Sequence, residues 1–182
     1  MHFVNEDMPE TGTAKMPTEQ QLELAQKNLD YILEWVTRFD NKNYIVLGIE
    51  TGMLGTLAAL APEAKLWYPL MIAFAALSLI LLAIGLLLVY LGNYPRLKGP
   101  NDSLFYFGSI CKTKLDEYER QFRKRSAEEH LKDLLGQCHR NSEILKQKFS
   151  YLTWAYRMLF IGVTPWAITI YLFRTIPAVK GG

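Results

Sequence analysis

The chain has 182 residues, is 50% hydrophobic and carries a formal net charge of +2, and its mean hydropathy lies near zero. That average hides a segregation of polar and apolar stretches. There is no GxxxxGK[ST] or GxGxxG loop, no metal-spaced His/Cys cluster and no nucleophile beside any of the three His, so an enzyme, a cofactor, a metal site and a nucleic-acid partner are not expected.

Residues 1–17 form a polar arm expected to be flexible, and the polar, acidic first 43 residues leave no signal peptide to mistake for a span. Pro17-Thr18-Glu19-Gln20-Gln21 reads as a helix start, with Thr18 as N-cap and Gln21 reaching back in a capping box. Leu22, Leu24, Ala25, Leu29, Ile32, Leu33 and Val36 keep helical spacing, which predicts an amphipathic helix over 18–43. No Pro or Gly interrupts before Gly48, so that helix is expected to continue into a first membrane span at 44–61.

Four members of this span, Gly48, Gly52, Gly55 and Ala59, fall on one side and offer a surface for close approach of another helix. Glu50 points roughly 160° away from that stripe, in line with Asn43, Met53 and Leu57. One face thus asks for a helix, and the opposite face carries a charge that should not meet lipid. An oligomer with this helix near its centre answers both demands, with the polar face lining a water path; ordinary helix packing is the plainer reading.

After a tight link the run 66–91 carries no charge at all and is the clearest membrane span, with Trp67, Tyr68 and Tyr90 as its aromatic belt. Residues 91–109 read as a loop whose Phe105, Tyr106 and Phe107 must pack on something. Helical patterning resumes near Thr113 with Leu115, Tyr118 and Phe122, and Ser126-Ala127-Glu128-Glu129 forms a second capping box. The helix it starts runs on through Leu131, Leu134, Leu135, Cys138, Leu145 and Phe149 into a third span at 152–173, where Pro165 should kink it; residues 174–182 are a short tail.

The third span places Ser150, Thr153, Arg157 and Thr164 on one face, a competing pore lining. Arg157 enters its span as deeply as Glu50 enters the first, roughly 9 Å, so the two charges are candidates to pair within a chain or between neighbours; snorkelling of both to the interface is the alternative. The basic run Arg120–Arg125 reads as a headgroup-facing surface or as part of an anion site.

Lys and Arg number twelve in 92–151, four in the first 43 residues and one in the short link, which predicts a cytoplasmic N-terminus and an external C-terminus. Cys111 and Cys138 then lie in the reducing compartment, where no disulfide is expected. The reading is an all-α membrane protein: three transmembrane helices, two of them extending into a helical cytoplasmic layer at 18–43 and 92–151.

RFDNK (38–42) at the mouth of the first span, YPRL (94–97) after a two-span hairpin, FYFGSI (105–110), EYE (117–119) and NSEILKQKFSYLTWA (141–155) leading into a last span carry a resemblance. Over most of residues 25–173 the chain resembles the bacterial transmembrane effectors of the Pycsar anti-phage system. The resemblance implies a multi-pass inner-membrane effector that answers cyclic CMP or cyclic UMP from a partner cyclase, impairs the membrane and causes abortive infection.

A channel effector gated by another nucleotide signal and a non-effector membrane scaffold are the alternatives. A cyclic mononucleotide needs a cation for its phosphate and an aromatic or apolar face for its base. Arg38 and Lys42, Phe105 and Phe107, and Arg140 and Lys148 are the candidates for that site.

Overall fold

The computed structural model describes residues 16–95, 99 and 103–180, and among them there is helix and no strand. Three helices are long and apolar enough to cross a membrane: Thr18–Leu60 (α1), Pro69–Asn93 (α2) and Ala127–Lys180 (α5). Two short ones, Phe107–Ile110 (α3) and Leu115–Lys124 (α4), lie between α2 and α5. Most of the arm at 1–17, the Arg96-Leu97 half of the YPRL motif and the last two residues of the tail fall outside the described residues.

Local chemistry sets the ends. The first capping box does not form: Pro17 is the N-cap, Thr18 is already helical, and Gln21 Nε2 donates to the Met16 carbonyl at 2.6 Å. Proline's fixed φ and missing N–H suit a helix entrance and pre-empt the threonine. The second box forms in full, with Ser126 N–H donating to Glu129 Oε2 at 2.8 Å and Glu129 N–H to Ser126 Oγ at 3.2 Å. Between α1 and α2 a single 3-10 turn, Ala64–Leu66, is tied down by Trp67 Nε1 donating to the Pro62 carbonyl at 3.0 Å. Pro69 opens α2 three residues later than the apolar run begins, as proline at the first helical position should. At its other end α2 continues to Asn93, and α3 occupies the last part of the stretch expected to be loop.

At a rise of 1.5 Å per residue α1 is ~65 Å long and α5 ~80 Å, against a hydrocarbon layer of about 30 Å. Both therefore run well beyond any membrane. They do so side by side and parallel: Cys138 Sγ meets the Ala25 carbonyl, Lys148 meets Asp40 and Trp166 Nε1 meets the Met53 carbonyl, at sequence separations of 113, 108 and 113. The register does not slip from one end to the other. α2 packs antiparallel against both, through Asn43–Val89 on one side and Ser78–Thr169 on the other.

The inward residues of all three helices recur every 3.5 positions. In α1 they are Ala25, Leu29, Ile32, Val36, Phe39, Asn43, Val46, Glu50, Met53 and Leu57; in α2 they are Met71, Ala75, Ser78, Leu82, Gly85, Val89 and Gly92. α5 follows the same spacing from Cys138 through Leu152, Ala155 and Leu159 to Thr169 and Phe173. Seams of this period wind helices into a left-handed coiled coil. Every seventh residue of the α2 seam is small, and each notch is filled: Ser78 by Thr169, Gly85 by Glu50, Gly92 by Phe39. A methyl group on Gly92 would lie 3.2 Å from Phe39 Cζ, tight enough that the ring would have to shift to admit it.

Candidate functional site

The end of the bundle holding α3, α4 and the first halves of α1 and α5, the base, contains two separate polar assemblies. A third lies within the seam.

Where α1 and α5 leave the apolar region, Phe39, Trp35 and Phe149 stack edge to face, at 5.6 Å for Phe39–Phe149 and 6.2 Å for Trp35–Phe149. Cations surround them. Lys148 Nζ lies 4.7 Å from the Phe39 ring centroid and 3.3 Å from Asp40 Oδ1, with its side chain only 14% exposed. Lys42 Nζ lies 6.0 Å from the Phe149 centroid and has no carboxylate partner among the described residues. Arg38 sits 5.0 Å over Trp35 and pairs with Glu34 at 2.6 Å. That pair is exposed and one helical turn long, worth about 0.3–0.5 kcal/mol, so an incoming anion would displace it easily. The collar therefore offers two accessible cations, one half-buried cation and aromatic faces.

The other predicted ligand residues are elsewhere. Phe105 packs on Phe122 and His130, at 6.4 and 5.8 Å, and the exposed Phe107 stacks on Tyr106 at 4.9 Å. Arg140 is paired with Glu143 at 3.0 Å, ~12 Å down α5 from Lys148. Arg38, Lys42 and Lys148 thus come together, and Phe105, Phe107 and Arg140 do not join them.

What holds Phe105 is a hydrogen-bonded turn that spacing did not reveal. Ser103 Oγ accepts from the N–H groups of Phe105 and Tyr106 at 3.1 Å and from Gln137 Nε2 at 2.8 Å. Asp133 accepts from the Leu104 N–H at 2.8 Å and from Arg125 at 3.0 Å, and Tyr118 donates to the Leu104 carbonyl at 3.2 Å. The partners lie up to 34 positions apart in the chain, beyond the reach of any local motif. Beside this turn Ser103, Ser109, Lys112, Thr113, Tyr118 and Gln121 line a cavity of about 260 Å³. Farther along α5, burial pushes the Cys138 thiol up from its ordinary value.

Within the seam Asn43, Glu50, Ser78 and Thr169 are fully buried. Ser78 and Thr169 satisfy each other at 3.3 Å and bond to their own helices' carbonyls. Asn43 Nδ2 reaches the Val89 carbonyl at 3.4 Å, leaving its Oδ1 unpartnered, and neither carboxyl oxygen of Glu50 has a partner. An unsatisfied buried polar group costs about 1–3 kcal/mol. Glu50 does not meet Arg157 within the chain: Arg157 is exposed, its guanidinium 4.5 Å from the centroid of Trp154.

The faces not used by the seam point outward. Gly48, Gly52, Gly55 and Ala59 are exposed, and a methyl group on any of the three glycines would meet nothing within 4 Å. Thr153, Arg157 and Thr164 on α5 are exposed as well.

A family model, PycTM, described as the Pycsar effector protein domain, matches residues 24–174. No curated protein matches, and no solved structure does. The matched range takes in the collar, the turn at Ser103, both outward faces and the whole polar seam.

Proposed function

The chain belongs to the Pycsar effector family, and from that premise we propose how its geometry does an effector's work. Membership makes it an anti-phage effector that partners a cyclase-made cyclic nucleotide, and its three apolar helices make it a membrane protein. In our reading the nucleotide is cyclic CMP or cyclic UMP. The base faces the cytoplasm of the bacterium, and the spans lie in its inner membrane. Nucleotide binding at the base makes the chain associate with further copies, breach the membrane and end the infection together with the host cell.

The observation that carries this reading is the unslipped α1–α5 pair. It joins the collar, where cations and aromatic faces meet, to the seam without a break in either helix. In this reading Arg38 and Lys42 take the phosphate, Trp35 and Phe149 supply a face for the base, and Lys148 holds the two helices in register through Asp40. A ligand that binds one arrangement of this pair better than another shifts the whole bundle toward it.

The outward faces support association. A stripe without side chains and an arginine turned toward lipid are both better covered by a second copy than by acyl chains. Gly52→Leu is therefore expected to abolish cross-linking between copies and toxicity together.

Thermal unfolding of the purified chain across a panel of cyclic nucleotides tests the ligand, since one present at 100 times its Kd stabilises by about 2.7 kcal/mol. A shift with cyclic CMP or cyclic UMP alone supports the reading. A shift with another nucleotide turns it into an effector with a different signal, and none at all leaves a membrane scaffold. A cytoplasm-only reporter fused after Gly182 is expected to stay silent, and strong activity there would overturn the proposed orientation.

A further inference from the structure

Glu50 is fully buried, and both its oxygens lack partners. Its position is not an accident of loose packing. A methyl group on Gly85 would sit 1.9 Å from Oε1 and 2.8 Å from Cδ, so α2 has lost a whole side chain at the level where this carboxyl lies. Yet the notch gives space and nothing more. The seam residues on either side, Val46 and Met53 on α1 and Leu82 and Val89 on α2, are apolar. α2 carries no charged residue, and the arginine of α5, which the register places about 9 Å nearer the base than Glu50, turns outward onto Trp154. A group that served only to fill this space would be apolar, as its seam neighbours are.

The seam beside it is also the weakest of the three. α1 and α2 share the smallest interhelical interface, and among the described residues their polar link is the 3.4 Å bond from Asn43 to Val89. α1 and α5 are joined by the Trp166–Met53 bond, the Lys148–Asp40 pair and the aromatic stack; α2 and α5 are joined by Ser78–Thr169.

Resting on the function proposed above, we propose that Glu50 is a monovalent-cation site stowed in the Gly85 notch of the closed bundle. Parting of α1 from α2 presents it to water. Asn43, two turns along the same face and likewise carrying an unpartnered oxygen, adds a second oxygen ligand to the same path. The breach then passes cations in preference to anions, because a carboxylate facing a narrow aqueous path attracts the one and repels the other.

The test uses the full chain in liposomes, with potassium and chloride fluxes followed separately before and after cyclic CMP or cyclic UMP. Wild type is expected to pass potassium about tenfold faster than chloride once nucleotide is added, and Glu50→Gln to bring the two rates together while keeping its nucleotide-induced thermal shift. Gly85→Ala, which drives the carboxyl from its notch, is expected to leak potassium without nucleotide, and Glu50→Ala with Gly85→Ala to be closed again.

A Glu50→Cys chain lacking Cys111 and Cys138 should react with a water-soluble thiol reagent only when nucleotide is present. Equal ion preference in wild type and Glu50→Gln, or a cysteine at 50 unreactive in both states, overturns the proposal. If wild type neither binds nucleotide nor leaks, the functional reading fails. The Gly85→Ala arm then decides alone: a cation-selective leak upholds the site, and a closed membrane removes it.

Discussion

The turn at Ser103 and the seam at Glu50 are both polar and both buried, and they are built in opposite ways. At the turn the anchoring side chains are satisfied: Ser103 Oγ accepts three hydrogen bonds and Asp133 accepts two, and Nδ1 of His130, packed on Phe105, is the buried atom beside them without a partner. In the seam Glu50 accepts none and Asn43 is half satisfied. A satisfied network favours one arrangement, because any other breaks it. An unsatisfied group in a good steric fit favours any arrangement that lets it reach water. The base of this molecule is made to be held, and the bundle is made to let go.

The largest expected effect is a break in the held region. Asp133→Ala strands the Leu104 N–H and releases Arg125, at a cost of about 3 kcal/mol. Hydrogen exchange should show protection lost at 104–106 while α2 stays protected; loss spread evenly over the chain would mean the two regions are not independent. Next comes a change of opposite sign in the seam. Glu50→Met keeps the volume in the Gly85 notch and removes the unsatisfied carboxyl, so the chain should gain about 1–3 kcal/mol in a detergent melt while losing toxicity. A loss of stability would show that the carboxyl has a partner after all.

Smaller is Ser126→Ala, which removes the N-cap of α5 and should cost about 1 kcal/mol. The box also responds to pH. The Ser126 N–H holds the Glu129 carboxyl below its ordinary value of 4.5. Its contribution is therefore present above that value and fades as pH falls through the lowered one, so the stability difference between wild type and Glu129→Gln should be constant above it and shrink as pH falls through the lowered value. Smallest in stability is Arg38→Gln, about 0.5 kcal/mol or less for its exposed pair. It should nonetheless weaken nucleotide binding about tenfold if the guanidinium holds the phosphate. Equal affinity would move the ligand away from the collar, toward the cavity at Ser103.

Much of the fold is legible in the chain. An uncharged run and two helices without breakers fix three apolar helices and their continuation beyond any membrane, because backbone in hydrocarbon has few choices other than helix. The face that packs is harder to read. The glycine stripe of α1 attracts notice, but the helix buries the opposite side. The signal for that lies in α2, where Ser78, Gly85 and Gly92 recur every seven residues and match the period of Phe39, Asn43, Val46 and Glu50.

The collar is half legible. Arg38, Lys42 and Lys148 belong to two helices that predictably run together, and they meet. Phe105 and Phe107 offer aromatic faces in the segment after α2, but a turn anchored on Asp133 and Gln137 carries them away. Such anchors depend on which helix faces which, and no local pattern encodes that.

Between Ala25 and Met53 the α1–α5 pair keeps its register over four heptads. A straight α-helix drifts from a seven-residue repeat by about 20° per heptad, and the supercoil exists to absorb that drift. Torsion is therefore wound into the rod. Were the pair to unwind from its lower end, the accumulated rotation at the level of Glu50 would approach ~80°, about a quarter turn and enough to swing a side chain out of one interhelical groove and into the next.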